Sequence, residues 1–331
     1  TDMSLGITTT WEADVWGKLR SAKKAAFAKF LGSIEARNFA ITNLVAELAN
    51  SYYELLSLDN QLEIVQRSIE LQKNQLEILK VQKQAAVVTE LAVKQFEAQL
   101  YNSQSLEYEY RQHIAETENK INFLAGRYPQ KIERDKSKFL DLVPQNIKEG
   151  IPSQLLKNRP DIRQAETELQ ATNWDLKTAQ KEFYPSLELS ATLGLQAFKP
   201  AYLYKLPESL AFSLAGELAG PIINRKAIIA EYKTANAYQV EAMYEYQKAI
   251  LNGVVEVTTE LSNISNLQNK YSIKSKEVDA LTRSVEIAGE LYKSARANYL
   301  EVLTAQRDAL SSKLELVEVR KDQYLAQTNV Y

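Results

Sequence analysis

Few side chains in this sequence are equipped for covalent chemistry. It holds no cysteine and a single histidine, His113, among 331 residues. That removes thiol nucleophiles, disulfides and thiolate metal sites, and it argues against a histidine-based catalytic pair or a multi-histidine metal centre. His113 lies on a charged helical stretch and reads as solvent-exposed. Carboxylates are plentiful, but those on helical stretches form no constellation. Four others share a pattern: Glu12, Asp14, Glu188 and Glu217 fall on the polar parity of alternating, strand-like stretches. Acids gathered on one wet face make it electronegative and favour cations. The plainer reading is a solvated polar face with no selectivity. With 40 basic and 42 acidic residues the net charge is −2, so no nucleic-acid partner is expected.

The elements that carry these acids come next. "SLELSATLGLQAF" (186–198) puts Leu187, Leu189, Ala191, Leu193, Leu195 and Ala197 on one parity and Glu188, Ser190, Thr192, Gly194 and Gln196 on the other. That is the period of a half-buried strand. A turn region (199–209) separates it from a second alternating stretch, "LAFSLAGEL" (210–218), ended by Pro221. At the start, Met3, Leu5, Ile7, Trp11, Ala13 and Val15 alternate with Ser4, Gly6, Thr8, Thr10, Glu12 and Asp14.

Almost everything else reads as helix. Residues from about Arg20 to Lys83 contain no proline, and apolar positions from Ile41 to Leu79 step by three and four. This is a coiled-coil seam in a helix on the order of 100 Å long. "QAAVVTELAV" (84–93) turns the chain, and a second helix runs from about Leu91 to Leu124, stopped by Gly126 and Pro129. Residues 127–156 are a polar, irregular linker with Pro144, Gly150 and Pro152. A helix from about Pro160 to Glu182 follows, and a last proline-free helical run from about Lys226 breaks near 293–299.

These pieces repeat. "AITNLVAEL" (40–48) aligns with "AILNGVVEV" (249–257) at an offset of 209 (249 − 40), which also carries the first seam onto a second, Ile250 to Ala288. The repeat unit reads helix, strand, strand, long helix, shorter helix. The first copy spans 1–126 and lacks its first helix and strand, so the chain reads as a fragment; 157–331 is the second copy. No run of about 18 apolar residues exists, so no membrane helix is expected. A small sheet packed on a helix would fit the alternation, but not a polar parity of Ser, Thr, Gly, Ala and Glu opposite a charge-free apolar one. A transmembrane β-barrel explains both, with apolar side chains toward lipid and polar ones toward a wet lumen. Strand length fits, and Trp11, Trp16, Phe183, Tyr184, Phe198 and Tyr202 sit near strand ends, as interfacial girdles require. Four strands per complete chain cannot close a barrel, so this reading demands several copies.

Four segments resemble one family. "WEADVWGKLR" (11–20) is similar to the strand-to-helix junction of the outer-membrane efflux proteins, the TolC/OprM-like exit ducts of Gram-negative tripartite pumps. "GIPSQLLKNRPDIRQAE" (150–166) resembles their most specific signature, "FYPSLELSATLG" (183–194) their strand entry, and "ANYLEVLTAQRDAL" (297–310) their periplasmic turn. The resemblance covers essentially the whole chain. It implies a homotrimer with a 12-stranded barrel and an α-helical periplasmic tunnel. The protein would be a passive gated pore for small molecules such as drugs or metal ions, served by a periplasmic adaptor (membrane fusion protein) and an inner-membrane transporter. No cofactor, active site or enzymatic activity is implied, and the membrane partner is outer-membrane lipid.

The resemblance also assigns residues. Tyr292 takes the position of the family's gating tyrosine, and Glu301 the place where some members have a pore-lining aspartate. Thr304 stands where a second acid is common, Ala297 where some have an arginine, with Arg296 adjacent, and Ala92 replaces a frequent aspartate. The tip is therefore less charged than in well-known members. Ala85, Ala86, Ala295 and Ala297 are expected to present a small-residue surface to the adaptor. Arg159 and Asp161 are expected to fix a helix start. The competing reading is a soluble periplasmic coiled-coil adaptor or scaffold, against which the barrel-like alternation argues.

Overall fold

The computed structural model describes residues 3–135, 139, 157–220 and 224–330. Pro144, Gly150, Pro152 and Pro221, most of the linker, and residues 150–156 of the signature lie outside them. The described elements are β1 (Met3–Ala13), α1 (Lys18–Gln84), α2 (Glu90–Leu124), α3 (Pro160–Lys181), β2 (Ser186–Ala197), β3 (Leu210–Ala219), α4 (Arg225–Lys293) and α5 (Tyr299–Val330). They form two compact units, Thr1–Phe39 with Ile151–Val254, and Ala40–Gly150 with Val255–Tyr331. Both borders fall inside the long helices α1 and α4, so each unit draws on both sequence repeats.

The first unit holds the sheet, antiparallel in the order β1-β2-β3. Its register keeps parity across all three strands. Leu5 faces Leu195, Ile7 faces Leu193 and Trp11 faces Leu189 on β2, while Leu193 faces Phe212 and Ala191 faces Leu214 on β3. The large apolar side chains therefore share one face, and among the described residues nothing covers it: Ile7 is 78% exposed, Leu193 61%, Phe212 81% and Leu214 82%. On the other face Thr8 and Thr192 hydroxyls meet at 3.0 Å. Gly6 pairs with Gly194, where a Cβ on Gly194 would stand 2.6 Å from the Leu5 carbonyl oxygen and 2.7 Å from the Gly6 Cα. The close crossing of β1 and β2 needs a residue without a side chain at that point.

In the same unit α3 packs close to α1 and α4 because each offers it a glycine. A Cβ on Gly32 would be 3.1 Å from Thr167 Oγ1, and one on Gly253 would be 3.3 Å from Ile162 Cδ1. Pro160 opens α3, where its missing N–H costs nothing. Arg159 pairs with Asp161 at 2.8 Å, fixing this start as the sequence suggested. Arg163 holds the buried Glu35 at 2.6 Å, and Lys29 holds Asp175 at 2.8 Å, tying α3 to α1.

The second unit is built on the seam. Val65, Ile69, Leu76 and Leu79 of α1 share a core with Val93, Phe96 and Leu100 of α2 and Val302 and Leu310 of α5, with Ala288 and Tyr292 of α4 against it. At about 1.5–3 kcal/mol for each fully buried large aliphatic side chain, this shared core is what keeps the two helical hairpins together. The linker joins this unit by a contact that periodicity does not signal. Arg134, almost fully buried, donates to Asp59 and Glu118. Phe139 is buried beside Tyr324, whose hydroxyl donates to the Phe139 carbonyl at 3.1 Å, and Tyr324 stacks on Tyr53.

Gly194→Val is expected to lower stability by about 3 kcal/mol through forced backbone displacement. The loss would appear as a lower midpoint of the β signal in thermal melts. Gly289→Ala, with open space around the added methyl, should raise stability by about 0.5–1 kcal/mol through helix propensity.

Candidate gate and lumen residues

The sheet register brings three of the four sequence-selected acids into one row. Glu12 lies directly opposite Glu188, and Glu188 directly opposite Glu217. Like charges at facing positions repel, so such a row belongs on a face open to water. Glu188 and Glu217 are exposed, and Glu12 is within 3.9 Å of Lys18 Nζ. Asp14 departs from the expectation. The strand ends at Ala13, and the Asp14 carboxylate accepts from the Leu19 amide at 3.1 Å, the Arg20 amide at 2.9 Å and Arg20 Nε at 3.0 Å. Burial works against its charge, but these bonds outweigh it and hold the carboxyl below the usual aspartate range. It anchors the start of α1 and does not extend the row. One acid pair escaped sequence reading: burial, and then a hydrogen bond shared with Glu231, raise the Glu182 carboxyl above the usual range. No periodicity relates residue 182 to residue 231.

The tips of the two hairpins, both in the second unit, share a backbone conformation and a set of hydrogen bonds. Ala86 has φ 60° and Ala295 φ 58°, and they are 209 residues apart (295 − 86). Ala86 N donates to Lys83 O and Val87 N to Gln82 O; Ala295 N donates to Tyr292 O and Arg296 N to Leu291 O, the same bonds at the same offset. Thr89 Oγ1 accepts from Ala92 N to start α2, and at the equivalent position Asn298 Oδ1 accepts from Leu300 N and Glu301 N to start α5. These are helix ends closed by a left-handed residue and reopened by an N-cap. The left-handed residue here is alanine in both copies, although glycine would avoid the Cβ strain.

Side-chain chemistry differs between the tips. Lys83 pairs with Glu90 across the first turn. Its equivalent in the second, Tyr292, donates from its hydroxyl to Gln82 Oε1 of α1 at 2.7 Å, tying one hairpin to the other. Burial holds that phenol above the usual tyrosine value. Further along, Gln306 Nε2 donates to Gln75 Oε1 at 2.7 Å. Arg296 and Glu301 are exposed and form no ion pair with each other; Thr304 and Ala297 are half-buried; Ala85, Ala86 and Ala295 are exposed. Ala92, in contrast, is fully buried beside the Thr89 cap. His113 is exposed between Glu109 and Glu116. Sequence reading singles out Tyr292 but not its partner Gln82, since nothing local marks which glutamine on a coiled-coil helix meets a distant tyrosine.

Ala86→Gly and Ala295→Gly are each expected to stabilise the helical hairpins by about 1 kcal/mol by relieving the left-handed alanine. Urea unfolding followed by helical circular dichroism reads this as a higher midpoint at unchanged slope.

The sequence pattern shared by outer membrane efflux proteins matches residues 1–127 and 151–331. The chain is 27% identical over 330 residues to the solvent efflux pump outer membrane protein SrpC of Pseudomonas putida, covering 99% of this chain and 69% of that protein. To the cation efflux system protein CusC of Escherichia coli it is 23% identical over 330 residues, covering 100% of this chain and 72% of that one. Its fold is similar to the crystal structure of the outer membrane protein VceC from Vibrio cholerae, with a TM-score of 0.89, 22% identity, and coverage of 99% of this chain and 78% of that chain. A soluble adaptor or scaffold is not favoured by these likenesses. The chain belongs to the outer membrane efflux protein family, and it is an exit duct of the Gram-negative outer membrane.

Proposed function

We propose that three copies of the protein close the β1-β2-β3 sheets, with one further strand each, into a 12-stranded barrel that continues into a helical tunnel. The observation that carries this is the uncovered apolar face, kept in register over three strands with unpaired outer edges on β1 and β3 among the described residues. Open strand edges are not tolerated in lipid, and closure removes them. The chain itself is read as two copies of one unit, 1–126 and 157–331, joined by 127–156. The matched turns at Ala86 and Ala295 support that division.

Transport through such a pore is passive. An inner-membrane transporter supplies the energy, and a periplasmic adaptor joins it to the tips, with Ala85, Ala86, Ala295 and Ala297 at the contact. The cargo is small molecules: drugs, as the likeness to a solvent pump protein suggests, or metal ions, as the likeness to a cation efflux protein suggests. Tyr292, Arg296, Glu301 and Thr304 form the gate. Three Glu301 carboxylates drawn into one constriction would raise one another's pKa and favour cations. Glu12, Glu188 and Glu217 add negative charge along the lumen wall, while Asp14 is engaged by α1.

Two measurements test this. In planar bilayers the full-length protein should conduct, and Glu301→Ala should reduce its preference for cations. A protein that never forms pores would overturn the duct, while unchanged selectivity would remove only the Glu301 assignment. Single cysteines at Ala85 and Ala295, in a chain with no other cysteine, should crosslink to the adaptor, and absence of any crosslink would remove the tip contact.

A further inference from the structure

The junctions between strands and helices are unusually basic, and several of these cations have no ion-pair partner among the described residues. No acid occurs between Val15 and Ile34, while Lys18, Arg20, Lys23 and Lys24 fall in the first seven residues of α1. Helix α4, which follows β3, likewise opens on Arg225 and Lys226 with no acid in its first turn. Cations at a helix N-terminus oppose the macrodipole, so the pattern runs against local stability in both repeats. Such a conflict points to a requirement from outside the helix.

Some of these cations have partners. Lys18 reaches Glu12 and Glu182 at 3.9 Å, Arg20 holds Asp14, and Lys181 at the end of α3 donates to Gly17 O and Ser21 Oγ. Lys23, Lys24, Lys177, Arg225 and Lys226 form no ion pair with the described residues. Lys24 and Lys177 instead rest on the Trp174 ring, with Nζ 4.3 Å and 4.1 Å from its centroid. Nearby Asp175 is held by Lys29.

Their depth is set by the strands. Just beyond β1 and just before β2, Trp16 and Tyr184 stack at 5.1 Å between centroids, both half-exposed, and Trp16 Nε1 donates to the Pro185 carbonyl at 2.9 Å. A rigid amphipathic aromatic pair at strand ends marks a membrane–water interface. From there, seven residues of helix rise about 10 Å, comparable to a headgroup layer of about 5–7 Å on each side of the hydrocarbon. All of these residues belong to the first unit.

We propose that Lys23, Lys24, Lys177, Arg225 and Lys226 form a basic collar that binds anionic phospholipid headgroups of the leaflet on the helical side of the sheet. The collar rests on the reading that β1–β3 span the outer membrane. Basic residues immediately beside a membrane segment attract anionic lipid over about a Debye length, and here they hold the barrel at a fixed depth.

The test uses the full-length protein in phosphatidylcholine vesicles with and without phosphatidylglycerol. Phosphatidylglycerol should raise the thermal midpoint of the wild type, and the rise should shrink in high salt. The triple variant Lys23→Gln, Lys24→Gln, Lys226→Gln should keep the midpoint in pure phosphatidylcholine and lose the phosphatidylglycerol-dependent rise. Lys73→Gln, in the other unit, should keep it. An equal midpoint in both lipids, or a triple variant that retains the rise, would overturn the collar while leaving the barrel intact. A rise reproduced by inorganic phosphate with phosphatidylcholine vesicles would make it a free-anion site and also overturn it. Protein that floats with neither vesicle would overturn the spanning strands as well.

Discussion

One constraint governs this molecule: an apolar sheet face that none of its described residues covers. In most antiparallel sheets a helix or second sheet buries that side. Here the register lines up leucine, isoleucine, phenylalanine and tryptophan across β1, β2 and β3, and the helices pack elsewhere. The opposite face carries threonine, serine, glycine and a row of glutamates. Water on the glutamate side and hydrocarbon on the leucine side satisfy both, and an outer-membrane protein meets both at once.

The helical part shows how duplication can keep geometry while changing chemistry. Two turns with the same left-handed alanine, the same two backbone bonds and the same cap position carry different side chains, most tellingly at the equivalent Lys83 and Tyr292. The lysine stays within its own hairpin, bound to Glu90, and the tyrosine leaves its hairpin for Gln82. A backbone that tolerates either side chain lets one copy close on itself and the other hold its neighbour.

Much of this was legible in the residues, for physical reasons that can be named. Strand parity and coiled-coil period are local, so β2, β3 and the seam from Ile41 to Leu79 could be read off directly, although Ile41 and Leu44 at its start stay exposed in this chain. The offset of 209 residues foresaw equivalent turns, because a repeat carries its caps with it. What could not be read depends on pairs far apart in sequence. Arg134 with Asp59, Phe139 with Tyr324, and Gly32 with Thr167 have no periodic signature, and each fixes where a segment docks. Asp14 shows a related limit: alternation continues in the letters for two residues after the backbone has left the strand and begun to prepare a helix.

The pairing of β1 with β2 joins Met3 to Ala197 and Ala13 to Leu187. Contacts that span so much chain form late, because the loop they close is long. During synthesis or export from the N-terminus, β1 exists long before its partner, whereas α1 and α2 can collapse on each other as soon as their turn has emerged. That strand therefore waits for β2 while the helical scaffold is completed. Assembly of this sheet is therefore as much a problem of timing as of stability.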